Sequence, residues 1–402
     1  MGDAQKAKDK EPKPGYKDRP WIPRFWDGMA PSAWFPLLLR NRLSISPSCI
    51  AMAVLICGLS FLNFILWAIQ AVLLGRKIAR TKIEDDPIFV IGHWRSGTTL
   101  LHELLVLDRR HTFADTYDCF ASNHFLASGW FMRPCLSVLL PSRRPIDNMA
   151  AGWGHPQEDE FALCNLGVPS PYLTIAFPNN PPQCQEYFDF HGVPPAAMER
   201  WKQTLLWFLK CITVRKPKRI VLKSPAHTCR IKTLLEMFPK ARFVHIVRDP
   251  YVLFPSTMNL WKRLYRDQGL QAPKYKGLEE YVFTTLTRMY DAFERDRPLI
   301  GPGQFCEVRY EELVADPLRQ MRVVYEELKL GDFEAVRPAI EAYFAKQKDY
   351  KTNRFELAPE TRAKITRRWS KYLEQYGYGP KPTGEARGEG QGARGEGVAA
   401  RS

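Results

Sequence analysis

Several things this chain lacks narrow it before anything it contains. None of its nine cysteines stands in a C-x-x-C pair, which removes the usual signature of a structural zinc site or a dithiol redox centre. Two of them, Cys49 and Cys57, fall in an apolar run and leave an odd number elsewhere, a poor basis for a disulfide framework. No asparagine begins an N-x-[ST] sequon, so there is no N-glycosylation acceptor. Both absences suit a catalytic part facing a reducing, cytoplasm-like compartment. From Pro380 the chain reads PKPTGEARGEGQGARGEGVAARS, without an aromatic residue. That composition predicts a disordered tail, over 377–402.

Acidic residues are also in deficit. Against 58 Lys and Arg stand 43 Asp and Glu, a net charge of +15. Such an excess suits an anionic partner, whether nucleic acid, an acidic membrane surface or a phosphorylated ligand, and equally a basic surface kept for solubility.

Residues 1–48 are polar, basic and proline-rich, with Trp21, Trp26 and Trp34 interspersed. The run from Cys49 to Leu74 carries no formal charge, and roughly 20 apolar residues suffice for a helix to span a bilayer. It lies too far from the start, and lacks a cleavage site, to be an ordinary signal peptide. Residues 49–74 therefore read as a transmembrane or membrane-associated helix. Ser60, Asn63, Trp67 and Gln70 share one helical stripe, which leaves open a helix lying in the interface or packed on the globular domain. Arg76, Lys77, Arg80 and Lys82 follow the run and only Arg40 and Arg42 closely precede it. The positive-inside rule then puts the following domain on the cytoplasmic side.

From about Asp85 the pattern is α/β. Strand-like runs occur at Ile88–Ile91, Arg219–Lys223, Ala241–Val247 and Phe305–Tyr310, with helical patterns at Leu100–Leu107, Ile231–Phe238 and Pro317–Leu328. Strands alternating with helices predict a P-loop-like parallel sheet flanked by helices over 85–376. A long insertion follows the first βα unit, at 115–218, rich in Pro, Trp and Phe. A connection of that length usually covers a site or shapes a pocket.

Within FVIGHWRSGTTLLHELL, Phe89 to Leu105, the spacing of Gly92 and Gly97 matches the nucleotide loop G-x-x-x-x-G-K-[ST]. The lysine is missing. Thr98 takes its place, and Arg95 supplies a cation earlier. Backbone N–H groups at such a turn bind phosphate-like anions. Arg248 and Asp249 close a second strand, with Ser256 beyond them, and Lys223 and Ser224 close a third. Ligands of open α/β sheets collect at those carboxyl ends. Pro255 predicts that the helix carrying Ser256 starts late or is kinked.

RSGTT at 95–99, LKSP at 222–225, RDP at 248–250 with Ser256, and VRYEELVADP at 308–317 occur in this order across more than half the chain. Together they resemble the sulfotransferases that use 3′-phosphoadenosine-5′-phosphosulfate (PAPS). The resemblance is to the branch with Arg in the first loop, which includes tyrosylprotein sulfotransferases and many bacterial enzymes. It implies that Arg95, Ser96, Gly97, Thr98 and Thr99 wrap the 5′-phosphosulfate, that Arg248 and Ser256 hold the 3′-phosphate, and that Tyr310 and Lys351 approach the same co-substrate. An arginine common in the family a turn past the serine is replaced by Leu260; Lys262 or Arg263 could substitute. No metal is implied. Arg95 and Lys223 are the candidates to stabilise charge on the leaving oxygen. The general base falls in GHPQEDEFAL, with Glu158 first and His155 and Glu160 beside it; Asp115, Asp118 and His124 compete. The aromatic-rich insertion, with Trp130, Phe131, Trp153, Tyr172 and Phe177, suggests a small-molecule acceptor of lipid, glycolipid or carbohydrate type. A P-loop kinase would need the missing lysine and a magnesium-binding acid. A non-catalytic nucleotide binder would keep the cradle and lose Lys223 or the base. A nucleic-acid partner rests on charge alone and is not expected.

Overall fold

The computed structural model describes residues 23–136, 152–346 and 357–379. Lys351, residues 1–22 and the tail from Pro380 lie outside them. Five strands, β1 (Ile88–Ile91), β2 (His111–Phe113), β3 (Arg219–Lys223), β4 (Arg242–Val247) and β5 (Phe305–Arg309), form one parallel sheet ordered β2-β3-β1-β4-β5. Four of these are the expected runs. The edge strand β2 is an addition, and its three residues are too few to carry a period. Both faces of the sheet are covered, which is why β1 is buried at all four positions and shows no polar alternation. Phe89 and Ile91 enter one hydrophobic cluster, Ile88 and Val90 the other, as the two-residue period of a strand requires.

The helices in chain order are α1 (Pro31–Arg40), α2 (Ile50–Arg80), α3 (Thr98–Val106), α4 (Thr116–Phe120), α5 (Phe125–Leu136), α6 (Asp159–Asn165), α7 (Pro195–Arg215), α8 (Ile231–Met237), α9 (Pro250–Gln268), α10 (Leu278–Asp296), α11 (Tyr310–Ala315), α12 (Pro317–Glu327), α13 (Arg337–Lys346), α14 (Pro359–Arg368) and α15 (Ser370–Gln375). Helix α9 does not start late. Pro250 takes its first turn, where a missing N–H costs nothing, and Asp249 caps it by accepting from the Tyr251 amide at 2.8 Å. The helix runs on through Pro255, which brings Ser256 onto its second turn.

The long insertion is folded into the core. Among the described residues it supplies α4 to α7 and two 3-10 turns, and Tyr117, Tyr172, Phe177 and Trp201 are buried. Its periodicity is weak in sequence because α6 is buried all round, from Asp159 to Asn165.

Helix α2 is long and apolar enough to cross a membrane, yet one face is packed lengthwise on the domain, burying Ala53, Ile56, Ser60, Asn63, Gln70 and Ile78. Asn63 Nδ2 donates to the carbonyls of Asp27 (2.7 Å) and Met29 (3.1 Å). Gln70 Nε2 donates to the Asn123 carbonyl at 3.0 Å, and its Oε1 accepts from the Leu126 and Ala127 amides. The polar stripe is packed on the domain, with Trp67 at its edge, 41% exposed. Trp26 and Trp34 are wholly buried in the same core.

Candidate active site

The parallel register puts the residues after β1, β3 and β4 on one rim. Val90 pairs with Lys223, and Ile91 with His245. The chain leaves β1 toward β2 on one side and leaves β4 toward β5 on the other. The crevice between such strands is where α/β sheets bind ligands.

The loop from Gly92 to Gly97 occupies that crevice. Gly97 has φ +110° and stands as N-cap of α3 without a side-chain cap, so first-turn N–H groups remain for an anion. A Cβ on Gly97 would collide with the Tyr310 ring; glycine is required by conformation and by space. Arg95 is itself left-handed, at φ +69°. Ser96 Oγ closes the loop by donating to the His93 carbonyl at 2.7 Å. Across the crevice Arg248 donates to the Arg95 carbonyl at 2.9 Å, and its guanidinium lies 3.9 Å above the Tyr310 ring. Arg95 Nε donates to Ser256 Oγ at 3.0 Å. Four residues expected at one ligand, Arg95, Arg248, Ser256 and Tyr310, are thus in mutual contact. Ser96, Thr98 and Thr99 stand in the loop or on the first turn of α3. Lys262 instead lines a cleft with Lys364, Arg367, Arg368, Glu279 and Glu280.

Lys223 meets the acidic segment. Its Nζ donates to Glu158 Oε1 at 2.6 Å, with side-chain exposures of 2% and 15%. Tyr172 Oη donates to Glu158 Oε2 at 2.5 Å and accepts from Trp94 Nε1 at 2.8 Å. Burial, then the charge of Glu158, raises the Tyr172 phenol well above its usual pKa, so it remains a donor. A chain of polar contacts therefore links the anion loop to Glu158. Beside Lys223, the buried hydroxyl of Ser224 has no hydrogen-bond partner, and neither has His93 Nε2 in the loop. Both are polar atoms of the kind a bound ligand satisfies.

The other proposed acids are not brought to this rim. Glu160 is fully buried, held by Arg230 at 2.6 and 3.0 Å and by Ser170 Oγ at 2.5 Å. Asp159 lies 2.7 Å from His227, both wholly buried; burial pushes its carboxyl up, but the charge and hydrogen bond of His227 outweigh that and hold it low. Asp115 and Asp118 form a network with Arg133 and Arg215. Burial and the Asp115 charge push Asp118 up to about 7. His124 is buried, its ring nitrogens 2.7 Å from Ser128 Oγ and 3.0 Å from Asn63 Oδ1. His155 sits on the bend before α6, its carbonyl taken by the Thr116 amide at 2.9 Å. Trp94 was not assigned to the site by sequence reasoning, and Tyr172 was expected only among the aromatics suggesting the acceptor; the PSPYLTI segment around it carries no motif to mark its contact with Glu158. Among the described residues no group of three or more His, Cys, Asp or Glu is arranged to hold a metal ion.

One rim of the parallel sheet thus carries a glycine loop without the nucleotide-loop lysine and a strand-end lysine facing a carboxylate. The profile of the Sulfotransferase family matches residues 87–334, and the chain belongs to that family. It is 48% identical, over 90% of its length and 92% of theirs, to the omega-hydroxy-beta-dihydromenaquinone-9 sulfotransferases Stf3 of Mycobacterium bovis and Mycobacterium tuberculosis. Among solved structures it is similar to sulfotransferase STF9 of Mycobacterium avium, with TM-score 0.57, 19% identity and coverage of 87% of this chain and 96% of that one. Sulfotransferase STF1 of Mycobacterium tuberculosis follows at TM-score 0.56 and 18% identity, covering 84% of this chain and 91% of that one. These last two likenesses concern the fold. The protein is a sulfotransferase.

Proposed function

We propose that this enzyme moves a sulfuryl group from PAPS to the terminal hydroxyl of a membrane-soluble prenyl quinol. The observation that carries the reading is the 2.6 Å contact between Lys223 and Glu158 on the same rim as the lysine-free loop. The acceptor class is supported by the relatives named for a hydroxylated dihydromenaquinone and by the apolar helix α2.

PAPS supplies an activated sulfuryl group; the residues here bind, orient and move the proton. The loop 95–99 fits the 5′-phosphosulfate, with Arg248 and Ser256 for the 3′-phosphate, Tyr310 beneath Arg248, and Lys351 as a further candidate contact. Lys223 would turn from Glu158 to the oxygen between sulfur and phosphorus and neutralise the charge that grows there. That move frees Glu158, still oriented by Tyr172, to take the acceptor hydroxyl's proton. One S–O bond forms to the acceptor as the S–O bond to phosphate breaks, leaving adenosine 3′,5′-bisphosphate and a sulfate ester. The unpaired state of all nine cysteines and the basic residues after α2 support a cytoplasmic placing of the domain.

The test is a thermal-shift titration of the full chain with adenosine 3′,5′-bisphosphate against ATP–Mg²⁺, followed by mass-spectrometric detection of a sulfated quinol. Ligand at a hundred times its Kd stabilises by about 2.7 kcal/mol. Stabilisation by the bisphosphate alone, lost in Arg248→Ala, is expected. Preference for ATP–Mg²⁺ would overturn the donor, and turnover of short soluble alcohols but not the quinol would overturn the acceptor.

A further inference from the structure

Helix α2 is built inside out for a water-soluble protein. In an ordinary surface helix the polar face meets water and the apolar face meets the core. Here the polar side chains between Val54 and Leu73, namely Ser60, Asn63 and Gln70, are buried against the domain. The outward face carries Val54, Leu55, Phe61, Leu62, Phe64, Ile65, Ile69, Val72 and Leu73, each more than 40% exposed and Val72 84%. Gln70 also fixes α5 by accepting from the amides of its first turn. That helix adds Trp130, 79% exposed, and Phe131, a T-shaped pair with centroids 5.1 Å apart.

We infer that this surface lies in one leaflet of a bilayer, with α2 parallel to the membrane plane rather than across it. Charge argues for lipid. From Gly28 to Ile83 the chain has no acidic residue, and exposed Arg40 and Arg42 precede α2 while exposed Arg76, Lys77, Arg80 and Lys82 end or follow it. Basic residues at both ends match anionic headgroups. Chemistry argues against a protein partner, since the only side-chain hydrogen-bonding groups among the large exposed residues of this face are the indole N–H groups of Trp67 and Trp130, whereas protein interfaces carry about one hydrogen bond per 100–200 Å². Packing argues against a crossing. The domain flanks the helix from Ala53 to Ile78, so a spanning orientation would carry the domain's charged surface into hydrocarbon.

The anchored face is also close to the chemistry. Asn63 holds the backbone of Asp27 and Met29. Two residues earlier Phe25 stacks on Phe161 at 3.8 Å, and Phe161 packs on Tyr172, which holds Glu158. An acceptor dissolved in the leaflet would therefore meet the site from the side on which the enzyme rests. This purpose rests on the lipid-acceptor reading; the surface itself does not.

The test is flotation of the purified full chain with phosphatidylcholine vesicles, with and without phosphatidylglycerol. Wild type should float, and better with the anionic lipid. The double substitution Ile65→Glu with Val72→Glu should reduce flotation on the order of tenfold, while the melting temperature and the bisphosphate-induced shift stay at wild-type values. Cysteines placed singly by Ser48→Cys and Lys82→Cys, at the two ends of α2, should both react with a membrane-impermeant maleimide added outside the vesicles, with labelling read at the introduced residue by peptide mass spectrometry because the native cysteines are unpaired and Cys135 is exposed. Flotation of the double variant equal to wild type would overturn the inference. So would protection of one end only, which means a crossing, or a lipid-free dimer lost in the same variant, which means a second copy covers the face. Failure of the acceptor reading alone would leave flotation intact.

Discussion

Glu158 and Glu160 are two residues apart, each is held by a cation and a hydroxyl, and their circumstances are opposite. Glu158 meets Lys223 at a rim where 15% of its side chain is reachable. Glu160 meets Arg230 with both side chains wholly enclosed. A rim pair can exchange partners when a ligand arrives, because water or ligand atoms satisfy whatever is released. The enclosed pair cannot, since breaking it strands a charge in a low dielectric. Sequence proximity thus says little about role, and the partner across the gap says a great deal.

The largest expected effect lies on the rim side. Lys223→Met keeps the stem and removes the cation, and transfer should fall on the order of 10³-fold, about 4 kcal/mol in the barrier, with stability close to wild type. Glu158→Gln should lower transfer by about 10²–10⁴-fold without weakening bisphosphate binding. Loss of binding and rate together would erase the distinction between donor cradle and base. On the enclosed side, Glu160→Ala should cost about 3–5 kcal/mol of stability, read by chemical denaturation. A cost under about 1 kcal/mol would show Arg230 finding another partner.

A fourth expectation concerns acid. Burial depresses His124 from 6.5 to about 4, so the fold holds its neutral form. Its contribution is whole above about pH 6.5 and is lost as pH falls toward 4, on the order of 3 kcal/mol. His93 is depressed to about 4 in the same way. Asp118, raised to about 7, and Asp27, raised to about 6, work in the opposite sense over the same range, so the reading is a difference. Between pH 6.5 and 4 wild type should lose more stability, or gain less, than His124→Gln, and α2 should loosen as His124, which faces Asn63, takes up its proton. The smallest effect is at Ser256→Ala, where one hydroxyl is lost. Bisphosphate affinity should weaken about tenfold, roughly 1.4 kcal/mol.

Much of the fold was legible because it is local. The β1 run, the lysine-free loop and the following helix carry their own periods and turn chemistry, and Arg248 with Ser256 reached the crevice as strand-end logic requires. Edge strand β2 was illegible at three residues, and the start of α9 was misjudged because Pro255 allowed a late start when Pro250 and Asp249 already supply an earlier one. For the base, the sequence put Glu158 first without excluding its neighbours in the segment or Asp115, Asp118 and His124. Residues 158, 159 and 160 face Lys223, His227 and Arg230, separated from them by 65, 68 and 70 positions. No period within the segment encodes which of the three reaches the rim.

Alone, the sequence determined the parallel α/β class, the anion loop, the cations at the strand ends, and an apolar helix with a polar stripe, all properties of spacing over a few residues. Tertiary structure decided which carboxylate meets Lys223, that Tyr172 orients it, and that the polar stripe of α2 turns inward. Those outcomes depend on through-space pairing of charges and hydrogen-bonding groups, and burial leaves each group only the partner that packing brings within reach.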